Sequence, residues 1–376
     1  MILSQPPLWL IIIAFLAAIG PLVIVHELCH YWVARMFGVG AEQFSIGFGR
    51  EVGGWTDKRG TRWRIGWLPL GGYVKFVGDS DPTSLTHDDE SKSAAKGLTY
   101  DGRPPWQRFL IILAGPLANF LLAILIFAAF FAAFGVPQTS SKVSAVVEGS
   151  AAQAAGLRPG DRLVSVAGRD TPRFEDVTRV VSMRPGETVP ILFIRDGQEQ
   201  QISATLAQDT ERDRFGQEFR IGRLGIYGGK PEYERVSAFA LLPLATDHVA
   251  MMTAAIFDGL VQIITGRRPL EELGGPLRMA QIAGQQASLG LLDFVQLVAF
   301  FSINLGFINL LPVPVLDGGH LVLTAFEAVR RKPISPRATE WAFRGGLAFL
   351  LTLMIVATFN DLGAFGLWER VGRLIG

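Results

Sequence analysis

The chain has 376 residues, a hydrophobic fraction of 49% that includes 26 Phe, and a net charge of +1. The length accommodates two units of ordinary size, and the near-zero charge gives no electrostatic reason to expect nucleic-acid binding. The apolar content points to a bilayer rather than a soluble fold, and a single cysteine, Cys29, excludes an intrachain disulfide.

Residues 8–37 are expected to form a first transmembrane helix. Met1 to Val25 carries no charged side chain and no histidine, and a run of that length suffices to cross a hydrocarbon core. No basic segment precedes it, so it is expected to be a retained anchor rather than a cleaved signal. Its end holds His26-Glu27-Leu28-Cys29-His30. Two histidines at i and i+4 share a helical face about 6 Å apart and can grip one metal ion. The glutamate between them can serve as general base toward a water that the metal polarises. An ionisable group at membrane depth costs on the order of 2.5 kcal/mol or more, so three titratable groups there point to chemistry. Cys29, about 100° round the helix from His30, is expected to pack rather than bind.

Residues 38–108 read as a cytosolic loop, because Arg50, Lys58, Arg59, Arg62, Arg64 and Lys75 obey the positive-inside rule. The acidic run Asp88, Asp89 and Glu90 weighs little in that rule. Trp63, Ile65 and Trp67 alternate with Arg62, Arg64 and Gly66, which predicts a strand. Pro69, Gly71 and Gly72 predict a turn before a second strand at Tyr73–Val77. The expectation is a membrane-associated β-hairpin whose open edge can pair with an unwound substrate.

A second transmembrane helix is expected at 109–136. It contains Gly115-Pro116 and Asn119, and an asparagine in lipid needs a partner, either another helix or a substrate backbone. Residues 137–207 read as a small β-rich domain, with strands at Val143–Val147 and Val189–Ile194 and turns at 158–161 and 195–197. In the following region, 208–293, Met252, Ile256, Leu260 and Ile263 share a face opposite Asp247 and Asp258. A helix lying on the outer membrane surface, not a span, is expected there.

The third transmembrane segment, 294–325, contains Asn304, Asn309, Pro312, Pro314, Asp317, Gly318, Gly319 and His320. The prolines should break the helix just before Asp317, which a membrane tolerates only where the chain lines a cavity. A basic loop at 326–344 with Arg330, Arg331, Lys332 and Arg337 is again cytosolic, followed by a short fourth span at 345–360 and a tail at 361–376. A catalytic zinc normally takes three protein ligands plus water. Beyond His26 and His30 the candidates are His87 in a polar loop, His248 in the extramembrane segment, Asp317 and His320. The first and third spans run in the same direction, so Asp317 falls at the depth of the histidine pair. It is preferred because its carboxylate partly neutralises the metal, and His320 is the fallback.

In HELCH, Phe44–Gly49, Pro69–Lys75, Gly115–Phe120, Ser302–Asn309 and the Pro312/Pro314/Asp317-Gly318 stretch, the chain resembles the site-2 protease family of intramembrane zinc metalloproteases. Within it, the chain looks most like the bacterial regulator of sigma-E protease (RseP) group. Gly149–Asp161 is similar to the PDZ pattern of bacterial proteases. It occurs once here, whereas the best-known members of the group carry two PDZ domains in tandem. The resemblance implies a membrane α-helical bundle of about four transmembrane helices with an inserted extracytoplasmic PDZ domain. It implies Zn2+ held by His26, His30 and Asp317, with Glu27 as catalytic base. It makes Asn309 the first candidate for holding the substrate backbone, with Asn304, Asn119 and Tyr73 behind it. The expected partners are membrane lipid and single-pass membrane proteins, such as anti-sigma factors or signal-peptide remnants, cut within or near the bacterial inner membrane close to its cytosolic face. The PDZ segment either captures peptides or excludes substrates with bulky outer domains. The second functional reading is a membrane-anchored metalloprotease acting on soluble or unfolded proteins.

Overall fold

A computed structural model describes residues 6–79, 98–138, 140–212, 218–229, 232–266, 274–332 and 334–364. His87, the acidic run 88–90 and the tail from 365 onward lie outside the described residues. The chain divides into a helical unit, Met1–Ala128 with Leu242–Gly376, and a β-rich unit, Ala129–Leu241, inserted between its halves.

The helical unit begins with α1 (Leu8–Met36), β1 (Ala41–Thr56), β2 (Arg62–Phe76) and α2 (Pro105–Phe134). The inserted unit carries β3 (Val136–Gln138), β4 (Val143–Val146), α3 (Ala151–Ala154), β5 (Arg162–Val166), β6 (Arg169–Asp170), α4 (Phe174–Ser182), β7 (Thr188–Arg195), β8 (Gln198–Thr205), β9 (Ala207–Arg212), β10 (Glu218–Arg223), β11 (Ile226–Gly228) and β12 (Glu232–Glu234). The chain then returns through α5 (Ala238–Ile264), α6 (Pro276–Leu289), α7 (Leu291–Asn309), α8 (Asp317–Arg330) and α9 (Pro336–Ala364).

Five of these helices are long and apolar enough to cross a membrane: α1, α2, α5, α7 and most of α9. The additional one is α5, which the sequence places on the outer surface. Its half-buried side carries Met252, Ile256 and Leu260, and Asp247 and Asp258 are exposed, as the periodicity requires. Those acids stand eleven residues apart, within about 20° of each other round the helix. They therefore mark one narrow stripe, and the apolar run from Ala238 to Leu244 supplies the length that the window from 247 lacked.

Helix α1 packs through a stripe with a period of four: Ala14, Ala18, Leu22, His26, His30 and Ala34 are all buried. The small alanines let α6 and α7 close in, and Ala14, Ala18 and Leu22 form one cluster with Ala283, Leu297 and Phe301. The two histidines occupy the next positions of the same ridge. They are therefore buried by the geometry that builds the bundle.

Strands β1 and β2 are not the expected hairpin. Residues 62–67 and 73–77 were expected to pair with each other across a turn; instead 62–67 and 73–76 both belong to β2 and flank the same stretch of β1. Phe44 pairs with Val74 on one side and Trp63 on the other, and Ser45 likewise takes Tyr73 and Arg64. The outer part of β1 bends back to pair Trp55 with Trp63. Glycines permit these bends: Gly71 has φ +108, and a Cβ there would enter the Phe48 ring. Residues 72–76 thus form an outer rung, on which a Cβ at Gly72 would meet Val23 and Glu27 of α1 at 3.1 and 3.2 Å.

In the inserted unit, β6-β5-β7-β8 form a four-stranded sheet closed on one side by α4, with Leu163, Val166, Val177, Val181, Ile191 and Phe193 in its core. The β-rich region does not end at 207. Strands β9 to β12 follow; β11 pairs with β4 and β12 with β3, so the chain returns to the strands with which the unit began. Asp161, 1% exposed, accepts from Nε and Nη2 of Arg195, both at 2.7 Å, and from the Arg158 backbone N–H at 2.7 Å. This fixes the turn at 158–161.

Candidate metal centre

Helix α7 ends at Asn309, and the link to α8 is short and tightly folded. Pro312 and Pro314 cannot continue a helix, so the chain turns through hydrogen bonds from Val313 N to Leu311 O and from Leu316 N to Val313 O. Side chains at Gly318 or Gly319 would collide with the backbone of Leu310, Leu311 and Val313. Only glycine lets this link lie against the first turn of α8, where Asp317 is the first residue. A carboxylate is favoured at that position by the unsatisfied N–H groups of the helix start.

Asp317 is thereby brought against the histidine pair. Its Oδ2 stands 3.0 Å from Nε2 of His26 and 3.5 Å from Nε2 of His30. The two Nε2 atoms are 3.2 Å apart. Oδ2 is buried and makes no hydrogen bond. Three atoms able to present lone pairs thus face one another, with the buried carboxylate oxygen among them left without a hydrogen-bond donor. A tetrahedral zinc with bonds of ~2.0–2.1 Å has ligand-to-ligand edges of about 3.3 Å, and the three observed edges bracket that length. The donor set therefore fits zinc. Among the described residues these three form the one group of histidine, cysteine and acidic side chains able to converge on a metal.

Helix α2 supplies the surroundings. Nδ1–H of His30 donates to the Ile111 carbonyl at 2.8 Å, which leaves Nε2 free to bind metal. One turn on, a Cβ at Gly115 would overlap His30 Nε2 and stand 2.8 Å from His26 Cε1. A further turn on, Asn119 is fully buried, with its amide nitrogen 3.1 Å from Nδ1 of His26 and its backbone carbonyl accepting from Ser302 Oγ of α7 at 2.7 Å.

The metal group opens into a cavity of about 390 Å³ lined by Glu27, Gly72, Tyr73, Asn309 and His320, among others. Asn309 places its amide nitrogen 3.5 Å from His26 Nε2. Tyr73 lies on the outer rung of β2, its hydroxyl bonded to Gln43 at 2.9 Å. Two of the expected substrate contacts, Asn119 and Asn304, do not line this cavity. Asn119 has no exposed surface for a substrate, because the protein itself surrounds it. Asn304 is turned away, its amide donating to the Phe300 carbonyl one turn back in α7 at 2.9 Å. His320 lines the cavity but is not in the converging group, and its ring packs 4.8 Å from that of Phe343. His248 packs against Phe127 at 4.6 Å. That Gly115 faces the histidine pair depends on the rotation of α2, which its place in the sequence does not state.

The sequence model of Peptidase family M50 matches residues 14–353. The protein named "Putative zinc metalloprotease Atu1380" of Agrobacterium fabrum is 42% identical, over 94% of this chain and 96% of its own. Metalloprotease MmpA of Caulobacter vibrioides is 35% identical over 97% of this chain and 98% of its own. Among solved structures, the PDZ domain of the SdrC-like protein Lmo2051 from Listeria monocytogenes is 19% identical over 25% of this chain and 90% of that chain, with a TM-score of 0.19.

Proposed function

Since the chain belongs to peptidase family M50 and is a membrane zinc metalloprotease, we propose that it cleaves single-span membrane proteins within or beside the bilayer. His26, His30 and Asp317 would hold the zinc and Glu27 would be the general base. The observation that carries this reading is the convergence of the three ligand atoms from the long apolar α1 and from the start of α8, beside an outer β-rung. When bound, zinc polarises the scissile carbonyl and acidifies a water. Glu27 takes the water proton and returns it to the leaving amine. An unwound stretch of substrate adds to the 72–76 rung through backbone hydrogen bonds, close to Glu27. The amide of Asn309 donates to the substrate carbonyl.

With α5 lying on the outer surface and not crossing, basic residues in the 38–108 and 326–344 loops orient the bundle with the metal near the cytosolic face of a bacterial inner membrane and the β-rich unit outside. Cleavage then releases the cytosolic part of the substrate, as in regulated intramembrane proteolysis. The test is cleavage by protein reconstituted in liposomes. The wild type should cut an embedded single-span peptide, and Glu27→Gln should retain stoichiometric zinc but lose at least ~100-fold in turnover. Cleavage of soluble casein as fast as of the embedded peptide would favour the membrane-anchored, soluble-substrate reading; full activity of Glu27→Gln would remove the assigned base.

A further inference from the structure

Nε2 of His26 is the atom that faces Asp317 and His30. A neutral imidazole carries one N–H and one lone pair, so a His26 that binds metal through Nε2 must hold its proton on Nδ1. That N–H is buried and needs an acceptor. The group that meets Nδ1 is the Asn119 amide at 3.1 Å. If its NH2 faced Nδ1, the proton would be forced onto Nε2 and metal binding would be blocked. In that orientation Asn119 Oδ1, also buried, has no partner. Turning the amide about its own axis satisfies both: Oδ1 accepts from Nδ1–H and Nε2 is left with its lone pair.

We infer that Asn119 is the positioning residue for His26, its side-chain oxygen locking the metal-binding tautomer. Resting on the zinc reading above, the inference assigns a role to an asparagine that touches neither metal nor substrate. The arrangement repeats on one helix. Ile111 and Asn119 lie two turns apart on α2, each offering an oxygen to the Nδ1 of one ligand histidine, with Gly115 between them making room for the rings. Ser302 fixes the α2 backbone at this level through its bond to the Asn119 carbonyl, so the amide is held from a second helix.

The test is metal affinity of the purified full-length protein in detergent, by competition with a chelator, together with the d–d spectrum of the Co2+-substituted form. Asn119→Ala removes the acceptor and should weaken zinc about 10–100-fold and change the Co2+ spectrum. Asn119→Asp keeps an acceptor and removes the donor, and should bind zinc at least as tightly as wild type to within about threefold. Unchanged affinity and spectrum in Asn119→Ala, or a tenfold or greater loss in Asn119→Asp, would overturn the inference. If the alanine variant does not fold, the aspartate variant decides alone, because it separates an accepting from a donating amide. Failure of the zinc reading itself looks different: wild type would then bind no stoichiometric zinc.

Discussion

Gly115 shows how little space the metal group leaves. Because a Cβ there would overlap His30 Nε2, and the neighbouring atoms belong to ligand rings and not to flexible chain ends, Gly115→Ala must push a histidine off its position. Overpacking of this kind costs about 1–3 kcal/mol, equivalent to roughly a 5- to 150-fold loss of zinc affinity. Chelator competition on the detergent-solubilised variant measures it, and affinity within a factor of two of wild type would contradict the steric account. The three converging side chains were legible in the sequence because their signals are local. The i, i+4 spacing sets His26 and His30 on one face, and two prolines followed by a Gly-Gly pair announce a break at Asp317. Asn119 and Asn304 look alike in sequence, each an asparagine in an apolar helix. Only the rotation of α2 and α7 within the bundle makes one a partner of His26 and returns the other to its own helix.

Helix α6 is held at its start by a side chain from another helix. Asp361 of α9, 2% exposed, accepts from the backbone N–H of Gly275 at 3.0 Å and of Arg278 at 2.9 Å. A carboxylate at that place satisfies two of the donors a helix start leaves open. Asp361→Ala leaves both unpaired and should cost about 1–2 kcal/mol, read as a lower thermal midpoint in detergent. Asp361→Asn retains an acceptor and should fall between the two, and an unchanged midpoint in the alanine variant would show that the contact contributes nothing. No periodicity announces this cap, because donor and acceptor lie 86 residues apart. Distance in sequence also explains the correction to the β1 and β2 pairing. Trp63-x-Ile65-x-Trp67 and Tyr73–Phe76 do form extended chain, as alternation predicts, but their common neighbour is Phe44–Ile46, which carries no mark of being the centre of a sheet.

The insertion of one folding unit into another has a consequence for how damage spreads. All residues of the metal group, and Glu27, lie in the helical unit, whereas Ala129–Leu241 has a separate core. Within it, burial would raise the Asp161 carboxyl, but the Arg195 hydrogen bonds and the Arg158 N–H outweigh that and hold it below the usual carboxylate range. A group titrating at lower pH in the folded than in the unfolded state, where the value is about 3.9, contributes its full stability above roughly pH 4. That contribution is lost as pH falls through the folded value. Asp161→Asn should therefore destabilise the β-rich unit at pH 7 by about 1.5–3 kcal/mol, the usual worth of hydrogen bonds to a charged group. Hydrogen exchange of the β5 and β7 amides in the full-length protein measures this: faster opening in the variant at pH 7, and a gap from wild type that narrows toward pH 3. Zinc affinity at pH 7 should not change, since the substitution touches neither the ligands nor the helices that place them, and well-separated sites behave additively. A parallel loss of zinc affinity in Asp161→Asn would mean that the two units fold as one.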